Sequence, residues 1–350
     1  MQTLTIARPD DWHLHLRDGQ ELAAVAAFSA RRFARAVVMP NLKPPVTTVE
    51  AAQRYRARVL AAVPPGSPFE PLMTLYLTED MRPDEVDRAA DAGFVCGIKY
   101  YPAGATTHSE AGVRSLANCA PVLERMQERD LVLQLHGEAV GADVDPFDRE
   151  AVFIARELEP LIRRFPRLRI VLEHVTTAAG VGFVRAQDSG RIAATITPQH
   201  LLLSRGALFD GGLRPHLYCL PLLKREADRE ALVGAATSGD ARFFLGTDSA
   251  PHARAAKESD CGCAGVFSAH AGIELYATAF ERAGALGALE AFASCHGADF
   301  YRLPRNRGTI TLVRESWTVP ERYAYGAGEL VPFGAGQRLD WRLQAEDGSA

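Results

Sequence analysis

The chain has 350 residues, 47% of them hydrophobic and 23% charged, which is enough for one barrel of about 250 residues plus additions. A formal net charge of -4, with no cationic run and no basic amphipathic helix, excludes the electrostatic signature of a nucleic-acid or membrane-surface protein and leaves small molecules as the expected partners. Nowhere do 18 apolar residues follow one another, and residues 1–8 hold no apolar core of signal-peptide length, so the expected location is the cytoplasm.

In chain order, short apolar runs alternate with amphipathic stretches, the pattern of parallel strands joined by crossover helices. Predicted strands cover 12–16, 36–39, 72–77, 97–101, 131–135, 170–174, 192–197 and 243–246, and helix-like segments cover 20–34, 48–63, 83–92, 148–165 and 224–236. Thr47 and Glu50 stand at capping-box spacing and mark a helix start. Strand-helix repeats at spacings of about 25 to 45 residues fit an α/β (β/α)8 TIM barrel better than an open doubly wound sheet. The glycine fingerprints of dinucleotide and P-loop folds are absent.

Stretches at 268–282 and 286–301 complete the ring of helices. The Pro/Gly-rich segment 303–350, with β-like pieces at 309–313 and 338–342, reads as a short C-terminal extension, an appendage to the barrel. No linker divides the chain, so 1–350 is expected to be one domain. Six cysteines are too few for a disulfide scaffold and are expected as thiols. Cys261-Gly262-Cys263 has no second pair at zinc-finger spacing and reads as a tight loop.

A barrel of this kind carries its chemistry at the C-terminal ends of its strands. His13 and His15 lie two apart on the first predicted strand, where a period of two turns both to one face. Lys99 belongs to the fourth strand, His136 follows the fifth, His174 ends the sixth and Asp248 follows the eighth. Residues of metal-binding type thus converge from five strands. Singly, each has a plainer explanation: a histidine satisfying a carbonyl, an aspartate capping the next helix, a lysine stem covering the rim. A lysine buried beside cations is expected to lose its proton and react with carbon dioxide, giving a carbamate whose two oxygens can bridge two metals.

The strings Asp11-Trp12-His13-Leu14-His15-Leu16-Arg17, Met39-Pro40-Asn41, Lys99-Tyr100-Tyr101-Pro102-Ala103, Ala105-Thr106-Thr107, His136-Gly137-Glu138, Glu173-His174, Thr197-Pro198-Gln199-His200, Arg214-Pro215-His216-Leu217-Tyr218-Cys219-Leu220-Pro221 and Gly246-Thr247-Asp248-Ser249-Ala250-Pro251-His252 together closely resemble the dihydroorotase family. The likeness is to its compact, stand-alone bacterial type, within the amidohydrolase superfamily, and it spans nearly the whole chain. It implies a metal-dependent hydrolase with two zinc ions per chain, a homodimer, and the reversible cyclisation of N-carbamoyl-L-aspartate to L-dihydroorotate plus water in pyrimidine biosynthesis.

Carried over position by position, the resemblance gives one zinc to His13, His15 and Asp248, the other to His136 and His174, and bridges them with carboxylated Lys99. Arg17, Asn41 and His252 would bind the substrate's α-carboxylate, His15 and His136 would border it, and Leu220 and Ala264 would contact the ring. A mobile loop bearing Thr106 and Thr107 would close on it. Gly104 stands where the family commonly has asparagine, and altered loop flexibility is expected there. In this scheme a hydroxide held between the cations attacks the ring carbonyl, and Asp248 acts first as base and then as acid.

Glu138 and Glu173 read either as partners that fix an imidazole tautomer or as rim ion pairs. His200 and His216 have no assigned role, and His108, His270 and His296 read as incidental. A hydantoinase or dihydropyrimidinase would share the metals without the carboxylate-binding set. A deaminase would use one metal without Lys99, and a non-catalytic barrel would lack ligands that are all present here.

Overall fold

The computed structural model describes residues 2–344, and its strands form three sheets. An N-terminal strand β1 (Thr3–Ala7) precedes eight consecutive strands: β2 (Asp10–Leu14), β3 (Arg35–Val38), β4 (Glu70–Tyr76), β5 (Val95–Tyr100), β6 (Val132–Leu135), β7 (Ile170–Leu172), β8 (Ile192–Ile196) and β9 (Phe243–Leu245). These eight pair in sequence order, all parallel, with helices between them. The predicted runs match them to within two residues at each end.

The ring closes just beyond β9. Asp248 N donates to His13 O at 2.9 Å, and His15 N donates to Ser249 O at 3.1 Å. Beside them the buried Asp11 carboxylate accepts from Thr247 N at 2.8 Å and from the Thr247 hydroxyl at 2.6 Å. The chain is therefore a closed (β/α)8 TIM barrel.

Alternation along the strands sorts residues by face. Val38, Leu75, Ile98, Leu133, Leu172 and Leu245 join the large core between strands and helices. Val37, Leu72, Val132, Val171, Ala193 and Phe244 form a second cluster with Trp12, which fills the N-terminal half of the barrel. Tyr301 stacks on Trp12 there, with ring centroids 4.5 Å apart. With that half filled by apolar side chains, the inward-facing polar residues occupy the opposite, C-terminal end.

The helices follow their apolar stripes. Gly19–Arg32 is capped by Asp18, whose carboxylate accepts from Gly19 N at 2.9 Å. At its far end Arg32 forms a buried, forked pair with Glu274 at 2.8 and 2.7 Å, tying it to the helix Gly272–Arg282. The helix Val49–Ala62 starts one residue later than the capping-box spacing indicates. Thr48, not Thr47, is its cap, accepting from Ala51 N at 3.2 Å, because only Thr48 sits in extended backbone directly before the first turn. The predicted segment 148–165 is helical but contains a π-helical turn at Ile154–Leu158. Ala178–Arg185 escapes sequence reading because Gly180 and Gly182 weaken its helical signal; the cap Thr177 and burial of Val181 and Val184 secure it.

In the tail, β10 (Thr309–Thr318) pairs antiparallel with β1 on one side, and β11 (Tyr323–Tyr325) and β12 (Gly328–Leu330) form a hairpin. On its other side β10 pairs with β13 (Arg338–Leu343). Trp341 of β13 is fully buried. The N-terminal strand, absent from the sequence reading, is thus held by the tail rather than by the barrel. Residues 345–350 of the predicted extension lie outside the described residues. No helix among the described residues is long and apolar enough to cross a membrane.

Gly297 lies against Trp12, where a Cβ would overlap the indole ring. Gly297→Ala is expected to destabilise the barrel by about 1–3 kcal/mol through forced repacking of Trp12 and Tyr301. Urea unfolding measures this, and wild-type stability would mean the packing is looser than described.

Candidate active site

The first two candidate ligands owe their direction to a β-bulge. Between the pairs Asp11↔Ala36 and Leu14↔Val38, three steps along β2 face two along β3. The extra residue lets Trp12 fill the barrel interior while His13 also turns inward. Leu14 then faces the outer core, and His15 points inward again.

Hydrogen bonds fix which nitrogen each ring presents. His13 Nδ1 is bound by the buried Glu173 carboxylate, and His15 Nδ1 donates to Asn41 Oδ1 at 2.8 Å. Each Nε2 is thereby left as a lone pair. Asp248 Oδ1 lies 3.3 Å from His13 Nε2 and 3.2 Å from His15 Nε2, and the two nitrogens are 3.3 Å apart. Burial lowers the pKa of both imidazoles, with the Lys99 ammonium adding to the effect at His13 and the nearby Asp248 carboxylate opposing it at His15. Both rings are therefore neutral at pH 7.

Three electron-rich atoms thus face one another with no proton between them, an arrangement that is repulsive until a cation enters. Ligands about 2.0–2.1 Å from a tetrahedral zinc stand about 3.3–3.4 Å from one another, so the triangle has the size such an ion needs.

A second group adjoins it. The donor atoms of His13, His174 and Asp248 all lie within 4.8 Å of one another. His174 is set by a hydrogen bond from its backbone N to Thr195 Oγ1 at 2.7 Å, and its ring centroid is 4.9 Å from that of His136. His136 Nε2 lies 2.7 Å from Glu138 Oε2. Glu138 and Glu173 are thus buried partners of ligand-type histidines rather than rim ion pairs.

Lys99 is fully buried, 5.1 Å from the Tyr101 ring centroid, and among the described residues its Nζ has no hydrogen-bond partner. Burial lowers its pKa to about 8, with Glu173 and Asp248 opposing that shift. A sizeable neutral fraction therefore exists near pH 7.5.

Arg17, His174 and Asp248 hold φ values of 60, 42 and 45°, in the left-handed region. Side chains there carry a conformational cost of about 1–3 kcal/mol each, a strain characteristic of sites whose surroundings over-determine them.

Above the cluster a cavity is lined by His13, His15, Arg17, Asn41, Tyr101, Thr106, Thr107, His136, His174, Leu220, Asp248 and Ala264, among others. Of the expected site residues, Lys99 and His252 are not on this wall. Lys99 is buried outright, and His252 stands behind Arg17, its Nε2 2.9 Å from Arg17 Nη2. Burial first, then the Arg17 charge, hold His252 down at about 2, so it is neutral and can accept from the guanidinium.

The loop bearing Thr106 and Thr107 lies over the cavity. Asn41 Nδ2 donates to Thr107 O at 3.1 Å, the Thr107 hydroxyl donates to Ala264 O at 3.2 Å, and His108 Nδ1 reaches Asn41 O at 3.2 Å. His108 therefore belongs to this closure and is not incidental. Gly104 has φ 76° with open space around it, a conformation glycine adopts freely and asparagine tolerates. The sequence reading assigned no role to Tyr101, Thr195 or Asp11; Asp11 stands in the same string as the histidines, while nothing local distinguishes Thr195.

The amidohydrolase family model matches residues 9–313. Dihydroorotase of Laribacter hongkongensis is 64% identical over 344 residues, covering 98% of this chain and 99% of that protein. Among solved structures, Campylobacter jejuni dihydroorotase superposes with a TM-score of 0.90 at 36% identity, covering 98% of each chain. The Saccharomyces cerevisiae dihydroorotase in complex with 5-fluoroorotic acid also gives 0.90, at 32% identity, covering 98% of this chain and 99% of that one. With this fold and this strand-end cluster, the chain belongs to the dihydroorotases of the amidohydrolase family.

Proposed function

We propose that this chain interconverts N-carbamoyl-L-aspartate and L-dihydroorotate with two zinc ions at the strand ends, and that Asp248 moves the proton. The observation that carries the reading is the triangle of unprotonated His13, His15 and Asp248 donors beside a cavity bordered by the Arg17 guanidinium. His13, His15 and Asp248 would hold one ion, and His136 and His174 the other.

Lys99 would join both as a carbamate: the neutral amine attacks the carbon of carbon dioxide, the nitrogen loses a proton, and an anion with two oxygens results. An amine without an acceptor, buried among electron-rich groups, fits that conversion. Bound there, the metal pair would supply Lewis acidity to the ring carbonyl and lower the pKa of water.

The chain's own groups account for the remainder. In the hydrolytic direction water adds to the ring carbonyl and the carbon–nitrogen bond breaks. Asp248 takes the proton from the attacking water and delivers it to the departing ring nitrogen; ring closure runs the same steps backwards. Arg17 meets the α-carboxylate through its guanidinium, with Asn41 and the neutral His252 completing its site. Asn41 also orients His15 and holds the Thr107 backbone, so it couples the loop over the cavity to a ligand. Thr106 and Thr107 close the cavity against water, while Leu220 and Ala264 border the ring.

The first test follows dihydroorotate hydrolysis by ultraviolet absorbance and determines metal on the same sample. Turnover with close to two zinc ions per chain is expected. Two metals without turnover would redirect the site to cyclic amides lacking the carboxylate. Asp248→Asn is expected to lower kcat by about 10²–10⁴-fold with the barrel intact by circular dichroism, and near-normal kcat would remove Asp248 as the proton carrier. Arg17→Met is expected to raise KM about 10- to 100-fold, the value of a charge-assisted hydrogen bond, with a smaller change in kcat. If Lys99 links the two ions, Lys99→Ala purified beside wild type should hold markedly less zinc by atomic absorption. Equal zinc would exclude the carbamate link.

A further inference from the structure

Lys257 ends the short helix Arg254–Lys257, beside Glu258 and near Asp260, where an ordinary solvated lysine is expected. It is instead only 3% exposed. Its Nζ donates to Tyr218 O at 2.7 Å, Cys263 O at 2.9 Å and Gly265 O at 2.7 Å, which uses all three N–H bonds of the ammonium. Burial lowers its pKa to about 8, with Cys219 and Cys263 opposing, so the charged form still predominates at neutral pH.

The three carbonyls come from two segments that wall the cavity. One precedes Leu220, and the other flanks Ala264. Gly265 N also donates to Tyr218 O at 3.0 Å, joining the same segments directly. Three carbonyl oxygens converging on one point repel one another unless a cation occupies the focus. In a trans peptide the N–H points opposite to the C=O. With Cys263 O drawn to Lys257, the Ala264 N–H is turned away from it. Ala264 borders the cavity, and among the described residues its N–H has no acceptor, whereas its own carbonyl accepts from Thr107.

We propose that Lys257 is a positioning residue whose ammonium locks these two segments together and presents the Ala264 N–H to the cavity as a donor for a carbonyl or carboxylate oxygen of the substrate. The proposal rests on the functional reading above for the identity of that substrate, but not for the locking of the two segments. It differs from the charge of Arg17, because Lys257 has no N–H left to offer the ligand and acts wholly through the backbone.

The test compares wild type with Lys257→Met and Lys257→Gln in steady-state kinetics and in hydrogen–deuterium exchange. For Lys257→Met, KM for L-dihydroorotate is expected to rise at least about tenfold with kcat within about threefold. Amides in 219–222 and 262–266 should exchange faster, while those of β5 and β6 stay as in wild type. Lys257→Gln, which keeps two N–H donors, should fall between the two. Wild-type KM in Lys257→Met, or exchange that rises evenly across the barrel, would overturn the proposal. A wild-type enzyme inactive on dihydroorotate would sink the functional reading instead, and the exchange comparison would still decide whether Lys257 holds the two segments.

Discussion

The seam between β2 and the residues after β9 is the constraint on which the rest of the molecule depends. A parallel barrel can close only if its last strand finds the free edge of its first. Here that contact is made by Asp248 N on His13 O, by His15 N on Ser249 O and by the Asp11 carboxylate on Thr247. Asp11 is buried, and burial raises its pKa to about 7 despite the Thr247 hydrogen bonds. The same bonds that close the sheet bring His13, His15 and Asp248 together. Closure of the barrel and assembly of the cluster are thus one event. Asp248, whose backbone stitches the seam, is held there at a positive φ.

Around that seam the barrel divides into an apolar half and a polar half. Trp12 and Tyr301 fill the N-terminal end with stacked rings. Toward the C-terminal end the inward positions are Lys99, Glu173, Thr195 and the histidines, all buried. Partners one layer out orient three of the rings, Glu173 for His13, Asn41 for His15 and Glu138 for His136, while Thr195 holds the His174 backbone. Desolvation then keeps the rings of His13, His15 and His174 neutral, which is the state a cation requires.

The cavity walls belong to loops rather than strands, and polar contacts to backbone keep them in place. Asn41 ties the loop at Thr107 to a ligand histidine, and the neutral His252 accepts from Arg17 behind the cavity wall. His200 plays a comparable part on the other wall: burial, with the Lys224 charge, holds it at about 4, and its ring lies 3.1 Å from Pro221 O. The sequence reading left that histidine without a role. The structure gives it a structural one beside Leu220.

Much of this was readable before folding. Apolar runs located all eight barrel strands because a parallel strand buried on both faces is nearly continuous in hydrophobicity. The barrel rule turned strand-end positions into a list of six candidate ligands, since residue type and position along a strand are properties of the chain itself. What escaped was decided elsewhere. The bulge that lets Trp12 and His13 both face inward depends on register with β3. The cap at Thr48 rather than Thr47 depends on where the extended backbone stops, and β1 forms only because β10 returns from the far end of the chain.

The carboxylates beside the histidines were named from sequence, but whether they orient rings or rest on the rim was a question of burial. Lys257 carried no local signal, because its meaning lies in carbonyls up to 39 positions away. Sequence alone determined which residue types reach which strand end. Tertiary structure decided which lone pairs face one another, because tautomer, burial and distance exist only once the seam is closed.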